Sequence, residues 1–311
     1  MAYDGRIMQR ALTRFDEDKQ RRAAQLEQRR RTAYARAPRL AEIEAELRGT
    51  MGRIISSALA RGTDPVPAIR VLRDENLQLQ RERAELLASL GYPADYLEEK
   101  PACDKCGDTG YVSGGVCACL RAYYAREQLA ELSRLLPLGE DSFETFSFDW
   151  YDSAVQPAFG ISPRENMERN YDVCRDYAYQ FAKGSGDLLL SGGTGLGKTF
   201  LSACIARVVS ENGFSVVYDT AASVFSRFED AKFRRDDGGS EDADRCMRCD
   251  LLILDDLGTE MTTSFVQSAL YQIVNGRLMA GRSTIISTNL APEEIGSRYG
   301  RSVLSRLEGE Y

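Results

Sequence analysis

A glycine-rich turn between an apolar run and a helical pattern constrains the fold more than any other part of this sequence. The turn is SGGTGLGKT, residues 191–199, and the run before it, DLLLS, is typical of a buried parallel strand. The residues after it, KTFLSACIARVVSENG, space their apolar side chains as a helix does, with Gly213 as the expected C-cap. Strand, glycine turn and helix follow one another in the order of a phosphate-binding loop, which argues against a flexible linker.

The spacing of this turn assigns chemistry to its residues. Backbone N–H groups of such a loop surround the α- and β-phosphates, the lysine reaches the β- and γ-phosphate oxygens, and the threonine hydroxyl ligates Mg2+. The positive end of the following helix dipole then lies beneath the phosphates. The predicted nucleotide-binding residues are Gly192, Gly193, Thr194, Gly195, Leu196, Gly197, Lys198 and Thr199.

Polar residues end two further apolar runs. In LLILDDLGTE we expect Asp255 to hold Mg2+ and Asp256 to act in catalysis by orienting the attacking water; an acidic turn without function is the alternative. The run STIISTNL ends at Asn289, whose amide would lie between the γ-phosphate and the attacking water unless it is a simple turn residue. Together with the loop, these residues predict a site for ATP and Mg2+.

Strand and helix patterns alternate from residue 162 onward. Ser162 and Glu165 have the spacing of a capping box, with Pro163 at the first helical position, so a helix is expected to begin there. The runs DLLLS, FSVVYD, DLLILDD and STIIST alternate with helical patterns that begin at Lys198, Ala221 and Thr263. This alternation predicts an α/β fold with a parallel sheet covered on both faces.

Four cysteines cluster in CDKCGDTGYVSGGVCACL. Cys103, Cys106, Cys117 and Cys119 have the spacing C-x2-C-x10-C-x-C, and four thiolates at about 2.3 Å can close a tetrahedron around Zn2+. Such a site has no open coordination position, so we expect it to be structural. The remaining cysteines are expected to pack in the interior: Cys174, Cys204, Cys246 and Cys249.

Composition excludes several classes of function. Histidine is absent, which excludes Ser-His-Asp and Cys-His catalysis and any histidine metal ligand. No stretch has the apolar length of a membrane span, and the start of the chain lacks the apolar core of a secretion signal, so we expect a cytoplasmic protein without membrane contact. The 311 residues have room for one sizeable core and a smaller module.

The amino-terminal region is helical and basic. Residues 1–40 carry 11 Lys/Arg against 5 Asp/Glu, a net charge of +6, and the remainder carries 29 against 42, a net charge of −13. Such a segment favours contact with nucleic acid or an acidic protein surface, or else is a solvated helix. The composition of residues 5–62 favours long helices, and residues 63–67 are expected to break them.

A heptad stripe follows this break, with Gly91 as the stop signal. The stripe predicts either contact with a partner helix or an antiparallel helical hairpin within the chain. Its residues are Ile69, Leu72, Asn76, Leu79, Arg83, Leu86 and Leu90.

These motifs together resemble the AAA+ ATPases, and within them the bacterial replicative helicase loaders of the DnaC/DnaI type and the related IstB transposition ATPases. The resemblance rests on CDKCGDTGYV, ETFSFDWY, SPRENM, GGTGLGKTFL, CDLLILDDLGTE, STNL and SVLSRL, within residues 64–308. It implies ATP binding at Lys198 and Thr199, a nucleotide sensor at Asn289 and an arginine finger at Arg306. It also implies a hexameric replicative helicase, single-stranded DNA and further copies of the chain as partners.

The resemblance also implies a domain organisation. We expect a helical, partly basic helicase-binding region over residues 1–100, a zinc module with a connecting helix over 101–135, and a C-terminally short AAA+ domain over 136–311. Family members continue beyond the point that corresponds to Tyr311 into a last strand beside DLLLS, so DLLLS is expected to be an edge strand. Asp256 stands where these ATPases generally carry glutamate, which makes Glu260 a second candidate for catalysis.

A basic and aromatic segment, SVFSRFEDAKFRR, is a candidate for contact with single-stranded DNA. Its aromatic and basic residues are the mixture that stacks bases and tracks phosphates. An amphipathic helix with its aromatic side chains in the core has the same composition. The residues concerned are Phe225, Arg227, Phe228, Lys232, Phe233, Arg234 and Arg235.

Three functions fit these features. The first is an ATP-dependent helicase loader, released when hydrolysis is triggered across a subunit interface by an arginine such as Arg298, Arg301 or Arg306. The second is a transposition helper that presents target DNA to a transposase, and the third is a non-hydrolysing adaptor that uses ATP as a switch. The cysteine cluster and the long helical amino terminus favour the loader.

Overall fold

The computed structural model of the protein describes residues 3–59, 66–135, 142–233 and 237–311. The chain divides into two units, one made of Phe15–Val112 and the other of Met1–Arg14 with Ser113–Tyr311. Among the described helices, none is both long and apolar enough to cross a membrane.

Long helices dominate the unit Phe15–Val112, as its composition predicts. They are α1 (Gly5–Arg36), of which the part from residue 15 belongs to this unit, α2 (Pro38–Leu59) and α3 (Val66–Ser89). The predicted break at residues 63–67 falls mostly outside the described residues. Gly91 follows the end of α3 with φ +77°, a left-handed conformation typical of a helix stop.

The heptad stripe of α3 faces α2 of the same chain. Arg83, a polar residue on the stripe, pairs with Glu44 of α2 at 3.3 Å, and both side chains are largely buried. Arg39 at the start of α2 pairs with Glu82 near the end of α3 at 2.9 Å, so the two helices run antiparallel. The side chain of Ile69 lies outside the described residues. The hairpin within the chain therefore accounts for the stripe.

A parallel sheet with helices on both sides forms the larger unit. A short ribbon, β1 (Tyr111–Val112) and β2 (Gly115–Val116), comes before it in the chain. The strands of the main sheet are β3 (Leu188–Ser191), β4 (Val216–Thr220), β5 (Leu251–Leu257) and β6 (Ser283–Thr288). The helices around it are α4 (Ala118–Leu135), α5 (Pro163–Tyr179), α6 (Lys198–Glu211), α7 (Ala221–Phe233), α8 (Asp237–Arg248), α9 (Ser264–Met279), α10 (Pro292–Tyr299) and α11 (Arg301–Glu310).

The order of the described strands is β3-β6-β5-β4, and every neighbouring pair is parallel. The phosphate-loop strand β3 therefore lies at one edge of these four strands, as expected. Because the strands are parallel, their carboxyl ends meet at the same edge of the sheet, which is where open α/β sheets bind ligands.

Alternate side chains of the strands enter two separate cores. On β5, Leu251 and Ile253 pack with α4, α5 and α6, whereas Leu252 and Leu254 pack with α7 to α11. Burial on both faces explains why these strands read as continuous apolar runs rather than as alternating patterns. The predicted α/β fold with a doubly covered parallel sheet is confirmed.

Two predicted helix starts are confirmed in atomic detail. The Ser162 hydroxyl accepts a hydrogen bond of 3.1 Å from the backbone N–H of Glu165, and α5 begins at Pro163. The Thr263 hydroxyl accepts one of 3.2 Å from the N–H of Val266 at the start of α9. Each bond satisfies a backbone donor that lacks a partner within the helix.

The cysteines outside the cluster are buried, as predicted. Cys246 and Cys249 lie beside Arg277, whose side chain is 0% exposed. The Arg277 guanidinium donates hydrogen bonds to the backbone carbonyls of both cysteines, at 2.7 and 3.1 Å. The guanidinium also donates to Thr284 Oγ1 at 3.0 Å and to the carbonyl of Ser283 at 2.6 Å. One buried cation thus joins the end of α8 to the start of β6.

The DNA-stacking interpretation of the segment after Ser223 is wrong for two of its aromatic rings. Phe225 and Phe228 lie on α7 with their side chains buried in the core, as the amphipathic-helix alternative requires, and Arg227 pairs with Asp219 of β4. The side chain of Phe233, together with residues 234–235 (Arg234 and Arg235), lies outside the described residues.

Candidate nucleotide site

The glycine-rich loop lies where β3 ends and α6 begins. The N–H of Gly192 donates to the carbonyl of Thr288 at 3.2 Å, which ties the start of the loop to the end of β6. Gly195 and Gly197 have φ of +78° and +84°, conformations that favour glycine because a Cβ would strain the backbone. The loop therefore exposes backbone amides with little side chain around them, as a phosphate cradle requires.

Aromatic residues that precede α5 in the chain pack against this loop. The Tyr151 hydroxyl donates to the carbonyl of Leu196 at 3.2 Å, and a Cβ added to Gly197 would lie 2.9 Å from the same hydroxyl. Phe146 stacks near Tyr151 and meets Phe200 of α6 edge to face at 5.4 Å between ring centroids. These contacts hold the loop at the amino end of α6.

Lys198 and Asn289 meet at this edge of the sheet. The Lys198 ammonium donates to Asn289 Oδ1 at 2.6 Å and to the carbonyls of Gly192 and Gly193, both at 2.8 Å. The two residues are far apart in the sequence, and parallel pairing of β3 with β6 brings them together. The predicted lysine and the predicted sensor amide are thus in direct contact.

Asp255 is buried at the end of β5, with a hydroxyl on each of its oxygens. The Tyr218 hydroxyl of β4 donates to Oδ2 at 2.5 Å, and the Ser287 hydroxyl of β6 donates to Oδ1. Only 4% of Asp255 is exposed. The predicted magnesium carboxylate is therefore held in one orientation by the two neighbouring strands.

Asp256 occupies a strained position in a bulge of β5. The pairing of β5 with β6 shifts register between Leu254 and Leu257, and Asp256 has φ +55°. Its N–H donates to Ser287 Oγ at 2.9 Å. Partial burial, together with the neighbouring Asp255 charge, raises the pKa of Asp256 above its ordinary value, and Lys198 opposes that shift.

Glu260, the second candidate for catalysis, is engaged elsewhere. One carboxylate oxygen accepts a hydrogen bond of 3.1 Å from the N–H of Gly258, and the other accepts one from the Tyr299 hydroxyl of α10. The Arg298 guanidinium donates to the carbonyl of Gly258 at 2.7 Å. Glu260 therefore holds the loop after β5 against α10.

Thr199 and Arg306 have exposed side chains. Thr199 lies in the first turn of α6, and Arg306 lies on α11. Within the described part of the chain, neither side chain has a hydrogen bond or ion pair. Arg306 is available to contact a molecule outside this chain, and Thr199 is available to a ligand of the loop.

The cysteine cluster has the geometry of a metal site. The sulfur atoms of Cys103, Cys106, Cys117 and Cys119 lie within 4.8 Å of one another. Zinc–sulfur bonds of about 2.3 Å in a tetrahedron separate the sulfurs by about 3.8 Å, so the four residues could hold Zn2+. Asp108 accepts hydrogen bonds of 3.0 Å from the N–H groups of Ala102 and Cys103, which shapes the turn around the first pair.

The site residues fit ATP with Mg2+ on their own chemistry. A glycine cradle, an ammonium, an amide and two carboxylates lie at one sheet edge. Sequence reasoning did not find Tyr218, Ser287 or Tyr151. A signal was present for the first two, because each carries a hydroxyl group near the carboxyl end of its strand.

Part of this chain is similar in sequence to a family of ATP-binding proteins. Residues 173–307 match the family described as IstB-like ATP binding protein. The uncharacterized protein YdaV of Escherichia coli (strain K12) is 31% identical over 161 residues, which cover 48% of this chain and 64% of YdaV. The replicative helicase loader DnaC of the same organism is 30% identical over 135 residues, which cover 43% of this chain and 54% of DnaC.

The matched segments thus span between about half and two thirds of these relatives. A crystal structure of the DnaC helicase loader is similar with a TM-score of 0.45 and 19% identity, over 55% of this chain and 94% of that one.

We expect Gly197→Ala to lower the free energy of unfolding by about 1–2 kcal/mol or more, since the new side chain would need a left-handed φ of +84° and would approach the Tyr151 hydroxyl to 2.9 Å. Gly193→Ala is the matched control, because its Cβ would meet only Leu196, at an ordinary contact distance of 3.9 Å. Urea unfolding of both variants measures the difference. Equal losses in the two variants would contradict the prediction.

Proposed function

We propose that this chain uses ATP to load the replicative DNA helicase onto single-stranded DNA, because residues 173–307 match the family described as IstB-like ATP binding protein and the replicative helicase loader DnaC is 30% identical over 135 residues. The proposal that the chain uses ATP rests on the contact of Lys198 with Asn289, near the carboxylates at the end of β5. The similarity to DnaC supports the loading part.

We assign ATP binding to the loop from Gly192 to Thr199. Its backbone amides and the amino end of α6 favour phosphate oxygens, and Lys198 adds a positive charge beside them. The Thr199 hydroxyl and the Asp255 carboxylate are the proposed ligands of Mg2+. When bound, Mg2+ supplies positive charge against the phosphate oxygens.

Asp256 is the proposed catalytic carboxylate. Its side chain has no hydrogen-bond partner among the described residues, whereas both oxygens of Asp255 accept hydroxyl groups. The carboxylate is therefore available to orient a water molecule and accept its proton. Asn289 is the proposed sensor, because its amide contacts the lysine of the loop.

Assembly is proposed to complete the site. Arg306 is exposed on α11 without an ion pair in the described part of the chain, and a guanidinium can stabilise charge on a transferred phosphoryl group. An arginine from a neighbouring copy would make hydrolysis depend on assembly. The helical, partly basic region over residues 1–100 is the proposed helicase contact, and the ATPase domain is the proposed contact for single-stranded DNA.

A transposition helper is the second candidate, because the family that residues 173–307 match is described as IstB-like. Such a protein would share the ATP site and differ in its partner. Partner binding therefore separates the two functions more directly than ATP hydrolysis does.

We expect the purified chain to form a complex with the replicative helicase of its own organism, with a stoichiometry that changes when ATP is added. Native mass spectrometry of the mixture measures this, with Lys198→Ala as the variant that should lose the effect of ATP because the loop ammonium is gone. Absence of any complex in every nucleotide state would remove the loader proposal. A complex with a transposase instead would favour the second candidate.

Asp256→Asn should reduce phosphate release at least about 100-fold while ATP still binds, because the amide keeps the shape of the side chain but cannot accept a proton. Phosphate release with single-stranded DNA present and binding of a fluorescent ATP analogue are the two measurements. Glu260→Gln is the comparison, since that carboxylate holds the loop after β5 and has no proposed part in proton transfer. Equal phosphate release above background in the Asp256→Asn variant and the parent chain would contradict the catalytic role of Asp256. A parent chain that binds ATP but releases no phosphate would favour the non-hydrolysing adaptor.

We also propose that the four clustered thiolates bind Zn2+. Purified chain should then carry about one zinc per molecule, and Cys103→Ser should lower that content, whereas Cys174→Ser should not because Cys174 is a buried core residue. Elemental analysis measures the metal, and a chelator should unfold the segment around residues 103–119. Zinc content that is equal in the two variants would exclude this site.

A further inference from the structure

The Asp255 carboxylate is enclosed by hydroxyl groups from both strands that flank β5. The strand order places β4 on one side of β5 and β6 on the other. Tyr218 of β4 donates to Oδ2, and Ser287 of β6 donates to Oδ1, so each neighbouring strand orients one oxygen. The carboxylate cannot rotate without breaking one of these bonds.

Ser287 makes a second contact that Tyr218 does not make. While its hydroxyl hydrogen is directed to Asp255, its oxygen accepts the backbone N–H of Asp256 at 2.9 Å. That N–H belongs to the residue with φ +55° in the β5 bulge. Ser287 also lies two residues before Asn289, which follows the end of β6 and contacts Lys198. One hydroxyl thus touches both carboxylate residues of the site.

The two residues that donate these hydrogen bonds are buried. Ser287 is 0% exposed and Tyr218 is 3% exposed, so water cannot replace a lost hydroxyl without entering the core. A buried carboxylate that loses a donor is expected to reorient toward any remaining one. Reorientation would move both oxygen atoms of the carboxylate.

We propose that Ser287 and Tyr218 are positioning residues that set the affinity of the site for Mg2+ by orienting Asp255, and that Ser287 additionally holds the backbone of Asp256. The inference rests on the proposed function, because it takes Asp255 as the ligand of Mg2+. Hydrogen-bond partners of metal ligands typically change metal affinity by about 10- to 100-fold when removed. A comparable loss is expected for each hydroxyl.

The test is binding of a fluorescent ATP analogue to the full chain as free Mg2+ is varied. Ser287→Ala and Tyr218→Phe remove one hydroxyl each with little change in volume, and Ser287→Thr retains the hydroxyl. Two variants serve as matched controls. Ser202→Ala removes a buried serine hydroxyl that has no hydrogen-bond partner, and Tyr177→Phe removes a tyrosine hydroxyl that donates to the carbonyl of Gly186.

We expect the Mg2+ concentration for half-maximal binding to rise about 10-fold or more in Ser287→Ala and Tyr218→Phe. Binding measured in a chelator should stay at the parent level, because the loop residues are unchanged. Ser287→Thr and both controls should keep the parental Mg2+ dependence. If the hydroxyl groups had a purely structural role, their removal would weaken nucleotide binding in the chelator as well as in Mg2+.

An unchanged Mg2+ dependence in Ser287→Ala and Tyr218→Phe would overturn the inference while leaving ATP binding, and hence the proposed function, intact. Parallel loss of binding with and without metal, together with a lower thermal unfolding midpoint, would assign the hydroxyls to folding alone and also overturn it. If Ser287→Ala fails to fold, Tyr218→Phe decides. A parent chain that binds no nucleotide would remove the proposed function and this inference together.

Discussion

The parallel pairing of β5 with β4 on one side and β6 on the other is the constraint on which the rest of the site depends. Parallel strands end at the same edge, so residues from distant parts of the chain meet there without any loop having to bring them together. The enclosure of Asp255 follows from this register, and the contact of Lys198 with Asn289 follows from the parallel pairing of β3 with β6. The helices on the two faces keep the strands in place by burying their alternate side chains.

Local strain is concentrated at the same edge. Gly197 has a left-handed φ beside the Tyr151 hydroxyl, and Asp256 has φ +55° although it carries a side chain. Glycine adopts this conformation without strain, but at Asp256 it costs on the order of 1–3 kcal/mol and persists only where surrounding contacts hold it. Here Tyr151 contacts the loop and Ser287 binds the N–H of Asp256. The strain and its supports together set the directions in which the loop amides and the second carboxylate point.

Much of the fold and part of the site followed from local patterns. Ser162, Pro163 and Glu165 predict a helix start that the structure shows, because a cap depends on neighbours within one turn. The DNA-stacking interpretation of Phe225 and Phe228 failed for the opposite reason. A helix with this mixture of aromatic and basic residues can expose its aromatic side chains or bury them in the core. Only the packing of α7 against the sheet decides between the two.

The sequence by itself determined the loop, the parallel α/β class, the spacing of the cysteine cluster and the carboxylates at the end of β5, because each depends on residues close together in the chain. Only the tertiary structure decided that Tyr218 and Ser287 hold Asp255, that Glu260 binds α10, and that Arg277 joins α8 to β6. These contacts join residues on different elements, and their partners are set by strand order and side-chain direction. Neither quantity can be read from the spacing of residues along one strand.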